Sequence, residues 1–238
     1  QGQALSSHDL PIGRGEPIKD TARVLSRFLN GLMIRTFSHE TVLELANYAD
    51  IPVINGLPDL LHPCQVLADL QTIREHKGQL AGLKMAFIGD GNNMAHSLMN
   101  GGARMGMHVV IACPEGYQPD AQVLAAAEEA AKESGGSVQV LADPMAAAAG
   151  ADVIYTDVWA SMGQESEKAE REKVFGGVYQ VNEQLMAAAN PGAMVLHCLP
   201  AHRGEEITAD VFEAHPEIFD EAENRLYAQM AVMALLLA

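Results

Sequence analysis

The chain has 238 residues, of which 48% are hydrophobic and 19% are charged, a composition typical of an ordinary soluble globular protein rather than a disordered or fibrous one. Its 15 basic and 31 acidic residues give a formal net charge of −16, so the long-range field repels polyanions and excludes the basic surface of a nucleic-acid binder. The most apolar segment, AVMALLLA, covers residues 231–238 and falls far short of the about 20 residues that a membrane-spanning helix needs.

Cysteine usage indicates a reducing compartment. Cys64, Cys113 and Cys198 are odd in number and widely spaced, without a CxxC pair, which favours reduced thiols over a disulfide framework. We therefore expect a cytoplasmic protein. Because the chain begins at Gln1 without an initiator Met, this expectation leaves room for a targeting segment that precedes it.

Strand-like apolar runs alternate with helical periods along almost the whole chain. The first predicted helix lies in GEPIKDTARVLSRFLNG, with Pro17 near its start and Gly31 at its end. It is followed by a strand in LMIRTF, a helix in ETVLELANYA, a strand in PVING, and a helix over residues 62–77 that Gly78 stops.

The rest of the chain continues this alternation. Strands are predicted in KMAFIGD, HVVIAC, SVQVL, DVIYTD and AMVLHCL. Helices are predicted from about residue 92, over about residues 120–134, in a short Ala-rich segment, in VNEQLMAAA, and from Phe219 onward. This order predicts an α/β fold with parallel sheets wound by right-handed crossovers.

Polar side chains follow the predicted strands at five places, and ligands of parallel sheets bind beyond the carboxyl ends of the strands. They are Arg35 after LMI; His62 and Gln65 after PVINGLPDLL; Asp90, Asn92 and Asn93 after AFIG; Asp157, Trp159, Ser161 and Met162 after VIYT; and His197 and Cys198 after MVL. Taken singly, most have a structural explanation: the asparagines as helix caps, His62 with Gln65 as a capping box, and Cys198 as a small buried apolar residue. Their recurrence at five strand ends favours a binding site.

Nucleotide and metal sites have less support. IGDGNNM has the strand, turn and helix order of a nucleotide-binding turn, but Asn92 and Asn93 stand where GxGxxG has glycines. His197 and Cys198 are adjacent in a predicted strand, so we expect their side chains to point to opposite faces and not to share one ion. Spacing alone singles out neither a Ser-His-Asp nor a Cys-His nucleophile pair.

Five motifs resemble, in order and spacing, those of the ornithine carbamoyltransferase family. They are HPCQ (62–65), GDGNN (89–93), TDVWASMG (156–163), HCLP (197–200) and EAENR (221–225). The resemblance runs from Asp20 to nearly the last residue. SMG together with HCLP separates this family from aspartate carbamoyltransferases and putrescine-type relatives.

The resemblance implies transfer of a carbamoyl group from carbamoyl phosphate to the δ-amine of L-ornithine, giving L-citrulline and phosphate without a metal or organic cofactor. It implies that the carbamoyl end of carbamoyl phosphate is held by Arg35, His62 and Gln65. Arg225 would complete the carbamoyl phosphate site. It implies that ornithine is held by Asn93, Asp157, Ser161 and Met162. Cys198 and the backbone of Leu199 would lie beside the reacting groups, and the catalytic set would be Asp157, Cys198, Arg35 and His62.

The family's architecture implies two doubly wound parallel-sheet domains joined by long helices. The expected divisions are the remainder of a carbamoyl-phosphate-binding domain (1–63), a connecting helix (64–77), an ornithine-binding domain (78–218), and a C-terminal helix that packs back on the first domain (219–238). The resemblance also implies a cytoplasmic homotrimer that serves arginine biosynthesis.

One family motif does not occur here. The family's first domain normally contains Ser-Thr-Arg-Thr-Arg, whose helix-start amides and arginines grip the phosphate, and this chain lacks it. We therefore expect a truncated first domain. Three explanations stand: a fragment of a complete enzyme, which we favour; a segment supplied by another chain; or a shortened homologue that binds ornithine-like amino acids without turnover. A nucleotide-dependent oxidoreductase rests on fold alone and lacks the glycine spacing.

Overall fold

A computed structural model describes residues 15–36, 38–161 and 163–238 of the chain. The protein divides into two compact units. The first comprises Gln1–His62 with Gln229–Ala238, and the second comprises Pro63–Ala228.

The first unit contains a small parallel α/β arrangement. Its elements are α1 (Ile18–Leu25), β1 (Leu32–Ile34), α2 (His39–Tyr48) and β2 (Val53–Asn55). The two strands pair in parallel, with Leu32 opposite Val53. The helices bury apolar residues such as Leu25 and Leu45. The predicted strand in LMIRTF ends at Ile34, and Phe37 lies outside the described residues.

The second unit alternates strands and helices. Its strands are β3 (Lys84–Ile88), β4 (His108–Ala112), β5 (Ser137–Leu141), β6 (Val153–Thr156) and β7 (Met194–His197). Its helices are α3 (Pro63–Lys77), α4 (Asn93–Arg104), α5 (Ala121–Ser134), α6 (Pro144–Ala148), a 3-10 turn at Glu165–Glu167, α7 (Lys168–Phe175), α8 (Glu183–Met186), α9 (Ala209–Ala214) and the first part of α10 (Glu217–Leu236).

The five strands of this unit form one parallel sheet in the order β5-β4-β3-β6-β7. The chain adds β4 and β5 on one side of β3 and then returns to add β6 and β7 on the other. The strand order therefore reverses between β3 and β6, and ligands of open α/β sheets bind at such a reversal. Alternate residues of β3 pack into separate hydrophobic cores on the two faces of the sheet. Met85 and Phe87 belong to one core, and Ala86 and Ile88 belong to the other.

The predicted α/β class with parallel sheets is confirmed, and most predicted elements occur where expected. The helix predicted to stop before Gly78 ends at Lys77, where Gly78 adopts a φ of +78°. Sequence reasoning missed α7 in the polar segment and also α9. In α7 the buried residues are Arg171 and Phe175, so its inward face is too small and too polar to produce an apolar period.

Candidate active site

The carboxyl ends of β3, β6 and β7 bring three of the predicted motifs to one edge of the sheet. The turn after β3 contains Asn92, the residue after β6 is Asp157, and β7 leads directly into Cys198. Because β3 and β6 are neighbours at the reversal of strand order, these residues surround the position where this fold class binds small molecules.

Asp157 is the centre of this group. Its side chain is buried, and it accepts hydrogen bonds from the Val158 amide at 2.8 Å, the Asn92 amide nitrogen at 3.0 Å and the Cys198 thiol at 3.0 Å. These contacts join three motifs that are distant in sequence. They fix one carboxylate at the switch point of the sheet, where it can attract a cationic ligand.

Asn92 serves two purposes. Its side-chain oxygen accepts from the amides of Met94 and Ala95, so the expected helix cap is confirmed. Its amide nitrogen reaches across the reversal to Asp157. Asn93, predicted to bind substrate, is the first residue of α4 and is half-buried.

Gly91, in the turn after β3, lies so close to a neighbouring loop that a side chain would not fit. A Cβ atom at this position would lie 2.3 Å from the Pro119 backbone nitrogen and 2.5 Å from the Tyr117 carbonyl oxygen. Both contacts are with backbone atoms, which cannot swing aside as a long side chain would. The glycine here serves close packing of two loops rather than approach to a pyrophosphate.

Cys198 is a hydrogen-bond donor rather than a thiolate. Burial, reinforced by the negative charges of Asp157 and Glu221, raises the pKa of its thiol well above the ordinary value of 9.0. The thiol therefore keeps its proton at neutral pH and donates it to Asp157. This excludes the activated nucleophile that a low-pKa cysteine would provide.

The expectation that His197 and Cys198 point apart was wrong. The potential ligand atoms of Asp157, His197 and Cys198 all lie within 4.8 Å of one another. The reason is that β7 ends at His197, so Cys198 belongs to a turn and does not follow the alternation of a strand. Both ring nitrogens of His197 already bond to protein groups, Nδ1 to the Leu199 amide and Nε2 to Glu206, so neither is directed at an ion.

Leu199 continues this turn in an unusual conformation. Its φ is +56°, in the left-handed region, and its peptide bond to Pro200 is cis. The hydrogen bond from its amide to His197 Nδ1, at 2.9 Å, holds the residue in place. The predicted role of the Leu199 backbone thus falls on a residue that is held by this hydrogen bond.

A second group surrounds Gln65, which is buried in α3. Its amide nitrogen donates to Asp69 and to Glu221, both at 2.8 Å. Its oxygen accepts from Arg225 at 2.6 Å. These contacts fix the amide with its oxygen toward the arginine and its nitrogen toward the acids. They also join the HPCQ and EAENR motifs.

Asp69 and Glu221 form a buried acidic pair, each 0% exposed. Burial, followed by the charge of Glu221, raises the pKa of Asp69 well above its ordinary range, and burial also raises the pKa of Glu221. Glu221 accepts from Gln65, from the Tyr155 hydroxyl at 2.9 Å and from the His197 amide at 2.9 Å. Three donors favour the charge on Glu221, so we assign the retained proton to Asp69.

Sequence reasoning missed both Asp69 and Glu221 as supports of the site. The available signal was helical spacing: Asp69 lies one turn after Gln65, and Glu221 lies one turn before Arg225. The hydrogen bond that the His197 amide donates to Glu221 joins this second group to the first. Hydrogen bonds thus connect members of all five motifs, through Asn92, Asp157, Cys198 with His197, Gln65, and Glu221 with Arg225.

Arg171 was also missed. Its guanidinium is almost fully buried and donates to Asp90 at 2.6 Å, to the Trp159 carbonyl at 2.9 Å and to Glu167 at 2.9 Å. It also lies over the Tyr117 ring, 5.1 Å from the centroid. Arg171 therefore ties the turn after β3 to the loop after β6.

The remaining predicted residues are placed as follows. Ser161 is half-buried in the loop after β6, and its amide donates to Gln164; Met162 lies outside the described residues. Arg35 is exposed just after β1, and His62 is buried at the end of the first unit. Their roles stay predictions.

Two family models place the chain among the carbamoyltransferases. Residues 81–236 match the family model described as the Asp/Orn binding domain of aspartate/ornithine carbamoyltransferase, and residues 2–75 match its carbamoyl-P binding domain. No helix in the described part of the chain is long and apolar enough to cross a membrane.

Individual relatives show which carbamoyltransferases this chain is similar to. An ornithine carbamoyltransferase of Symbiobacterium thermophilum is 61% identical over 235 residues, which cover 98% of this chain and 76% of that protein. One of Thermococcus kodakarensis is 57% identical over 99% of this chain and 75% of its own length. The solved structure of the Pyrococcus furiosus enzyme superposes with a TM-score of 0.93 at 56% identity, covering 98% and 74% of the two chains. The chain belongs to the ornithine carbamoyltransferase family.

Proposed function

We propose that this protein transfers the carbamoyl group of carbamoyl phosphate to the δ-amine of L-ornithine, giving L-citrulline and phosphate for arginine biosynthesis. The observation that carries the proposal is the hydrogen-bonded pair of Asp157 and Cys198 at the switch point of the sheet. It supplies a carboxylate and a neutral thiol in the place where this fold class binds its ligand.

Ornithine carries two ammonium groups and one carboxylate, and Asp157 and Cys198 suit different parts of it. Asp157 anchors the α-ammonium by charge, while its three protein donors keep the carboxylate from turning away. Cys198 lies against the side-chain amine without adding a charge there, because its raised pKa keeps the thiol protonated.

The amine must be neutral to attack. The δ-ammonium has a pKa near that of lysine, so deprotonation at pH 7 costs about 3 units, or about 4 to 5 kcal/mol. Alignment of the amine with the carbamoyl carbon offsets part of this cost. The ammonium proton goes to solvent before the attack. As the new C–N bond forms, the C–O bond between the carbamoyl carbon and the phosphate breaks, and the departing phosphate takes the second proton of the nitrogen. Closure of the loop that follows β6 and contains Ser161 would exclude water during the transfer.

The carbamoyl phosphate site is assigned to Arg35, His62, Gln65 and Arg225. Attack on the carbamoyl carbon develops negative charge on its oxygen, and Arg35 and His62 are donors suited to that charge. Gln65 presents its amide oxygen on the side of Arg225, and this oxygen can also accept from the carbamoyl amine. Asn93 and the Leu199 backbone complete the contacts with the reacting pair.

We extend the proposal to the roles of the domains, the oligomeric state and the cellular compartment. We assign residues 1–63 to carbamoyl phosphate binding, 64–77 to the connecting helix, 78–218 to ornithine binding, and 219–238 to a C-terminal helix of the first domain. The protein would act as a cytoplasmic homotrimer with no metal or organic cofactor.

A citrulline assay with both substrates on the 238-residue chain tests this function. We expect citrulline and phosphate in equal amounts, each dependent on ornithine. Absence of citrulline from a folded chain that still binds ornithine would contradict catalysis by this chain. That result would favour the alternative, a non-catalytic amino-acid-binding homologue or an inactive fragment.

A further inference from the structure

His197 is held at three points beside the reacting residues. Its amide donates to Glu221 at 2.9 Å, its Nδ1 accepts from the Leu199 amide at 2.9 Å, and its Nε2 lies 3.1 Å from Glu206. His197 is 1% exposed and Glu206 is 0% exposed. The side chain therefore serves the protein's own structure and has no surface left for a substrate.

The direction of these hydrogen bonds follows from the chemistry of the groups. A backbone amide can only donate, so the contact with Leu199 requires an unprotonated Nδ1. The ring hydrogen must then sit on Nε2, where it is donated to the Glu206 carboxylate. Glu206 thus selects the tautomer that can hold Leu199.

Glu206 also fixes the far end of the same turn. Its Oε1 accepts from the His202 amide as well as from His197. Burial alone would raise the pKa of Glu206, but the hydrogen bonds from His197 and from backbone amides lower it, so the carboxylate is charged at neutral pH. One charged oxygen therefore anchors both ends of the segment from His197 to His202.

We propose that Glu206 is a positioning residue: through the His197 ring and the His202 amide, it holds the HCLP turn so that the Cys198 thiol points at Asp157. The purpose of this arrangement, presentation of the thiol to the amine of ornithine, rests on the function proposed above. The arrangement itself rests on the hydrogen bonds alone.

The chain contains a matched control in Glu217. Its Oε1 also accepts from a backbone amide, that of Val195 at 3.0 Å, and bonds to an imidazole, that of His215 at 2.7 Å. Its pKa is likewise lowered by these hydrogen bonds against the effect of burial. Both carboxylates support β7, but only Glu206 contacts the turn that contains Cys198.

The test measures alkylation of Cys198 by iodoacetamide at pH 8, followed by mass spectrometry, in the wild-type chain and in E206A, E206Q and E217A. The buried thiols of Cys64 and Cys113 serve as internal controls for general unfolding. We expect E206A to speed alkylation of Cys198 about 5-fold, as for the loss of one hydrogen bond, with the other two thiols unchanged.

E206Q tests whether residue 206 acts through its hydrogen bonds or through its negative charge. Its carbonyl can accept from the His197 ring and the His202 amide, and its nitrogen would face His202 Nδ1, which lies 3.7 Å from Glu206 Oε2. We expect E206Q to alkylate at the wild-type rate. E217A should lower the melting temperature and leave the Cys198 rate unchanged.

Three results would overturn the proposal. The first is that Cys198 of E206A is alkylated at the wild-type rate, and the second is that alkylation of Cys64 and Cys113 in E206A speeds up as much as that of Cys198. The third is that E217A speeds alkylation of Cys198 as much as E206A does. Calorimetric titration of L-ornithine, run separately, keeps the two proposals apart. If the wild-type chain failed to bind ornithine, the proposed function would fail, whereas the alkylation rates would still decide the role of Glu206.

Discussion

Cys198 donates its thiol hydrogen to Asp157 across 3.0 Å, although the two residues are 41 positions apart. The parallel pairing of β6 with β7 makes this contact possible, because both strands end at the same edge of the sheet. The contact defines what the thiol can do. It can donate a hydrogen bond and fill space beside an amine, but it does not act as a thiolate.

Cys198→Ala should therefore lower turnover more than ornithine affinity. The thiol is expected to act on the amine during transfer, and loss of one such hydrogen bond costs about 1 to 3 kcal/mol, or about 5- to 150-fold in kcat. Steady-state kinetics that separate kcat from KM measure this. Cys113→Ala is the control, since Cys113 is buried directly after β4, on the side of β3 away from β6 and β7. An unchanged kcat in Cys198→Ala would show that the thiol takes no part in the reaction.

Arg171→Gln should destabilise the second unit and loosen the loop after β6. The substitution leaves Asp90, only 12% exposed, without its 2.6 Å partner. Breaking a buried pair on one side costs about 3 to 5 kcal/mol. Urea unfolding of the variant measures the loss.

Lys132→Gln provides the comparison for Arg171. It breaks an ion pair with Glu129 in which both side chains are largely exposed, and such solvent-screened pairs contribute little to the free energy of unfolding. If Arg171→Gln and Lys132→Gln lost the same free energy of unfolding, the buried pair of Arg171 and Asp90 would contribute no more to stability than an exposed one.

Asp69→Asn should change the pH dependence of stability. The folded protein holds the Asp69 proton above the ordinary pKa of 3.8, whereas the unfolded chain releases it. Wild-type stability therefore contains a contribution that declines as the pH rises above that value. An asparagine has no proton to lose, so the stability of the variant relative to wild type should increase with pH.

Chemical denaturation at pH 5 and pH 8 checks this prediction. Asp20→Asn is the control, because Asp20 is a half-exposed residue of α1. A constant difference between Asp69→Asn and wild type at both pH values would show that Asp69 is ionised in the folded protein.

Much of the fold could be predicted from sequence because each element carries its own signal. The strand in KMAFIGD is a continuous apolar run, and Asp120 caps α5 just where the helical period begins. The Asn92 cap was equally visible. These features depend on residues a few positions apart, which is why a single sequence reveals them.

The supports of the site could not be predicted in the same way. Glu221 lies 156 positions from Gln65, and nothing in either local segment indicates that they meet. Arg171 and Glu206 sit in polar segments, where charged residues usually face solvent. Only the sheet order brings them to buried positions, so the motifs identified the site without revealing what holds it together.

The most direct test of the account is calorimetric titration of L-ornithine, N-α-acetyl-L-ornithine and putrescine into the wild-type chain and Asp157→Asn. Acetylation removes the charge that Asp157 is proposed to anchor, and putrescine lacks the α-carboxylate. We predict that wild type binds ornithine in preference to both analogues, and that Asp157→Asn keeps its fold but loses at least about 10-fold in ornithine affinity, as for a charged hydrogen bond. Equal affinity of the folded variant and wild type for ornithine would contradict the account.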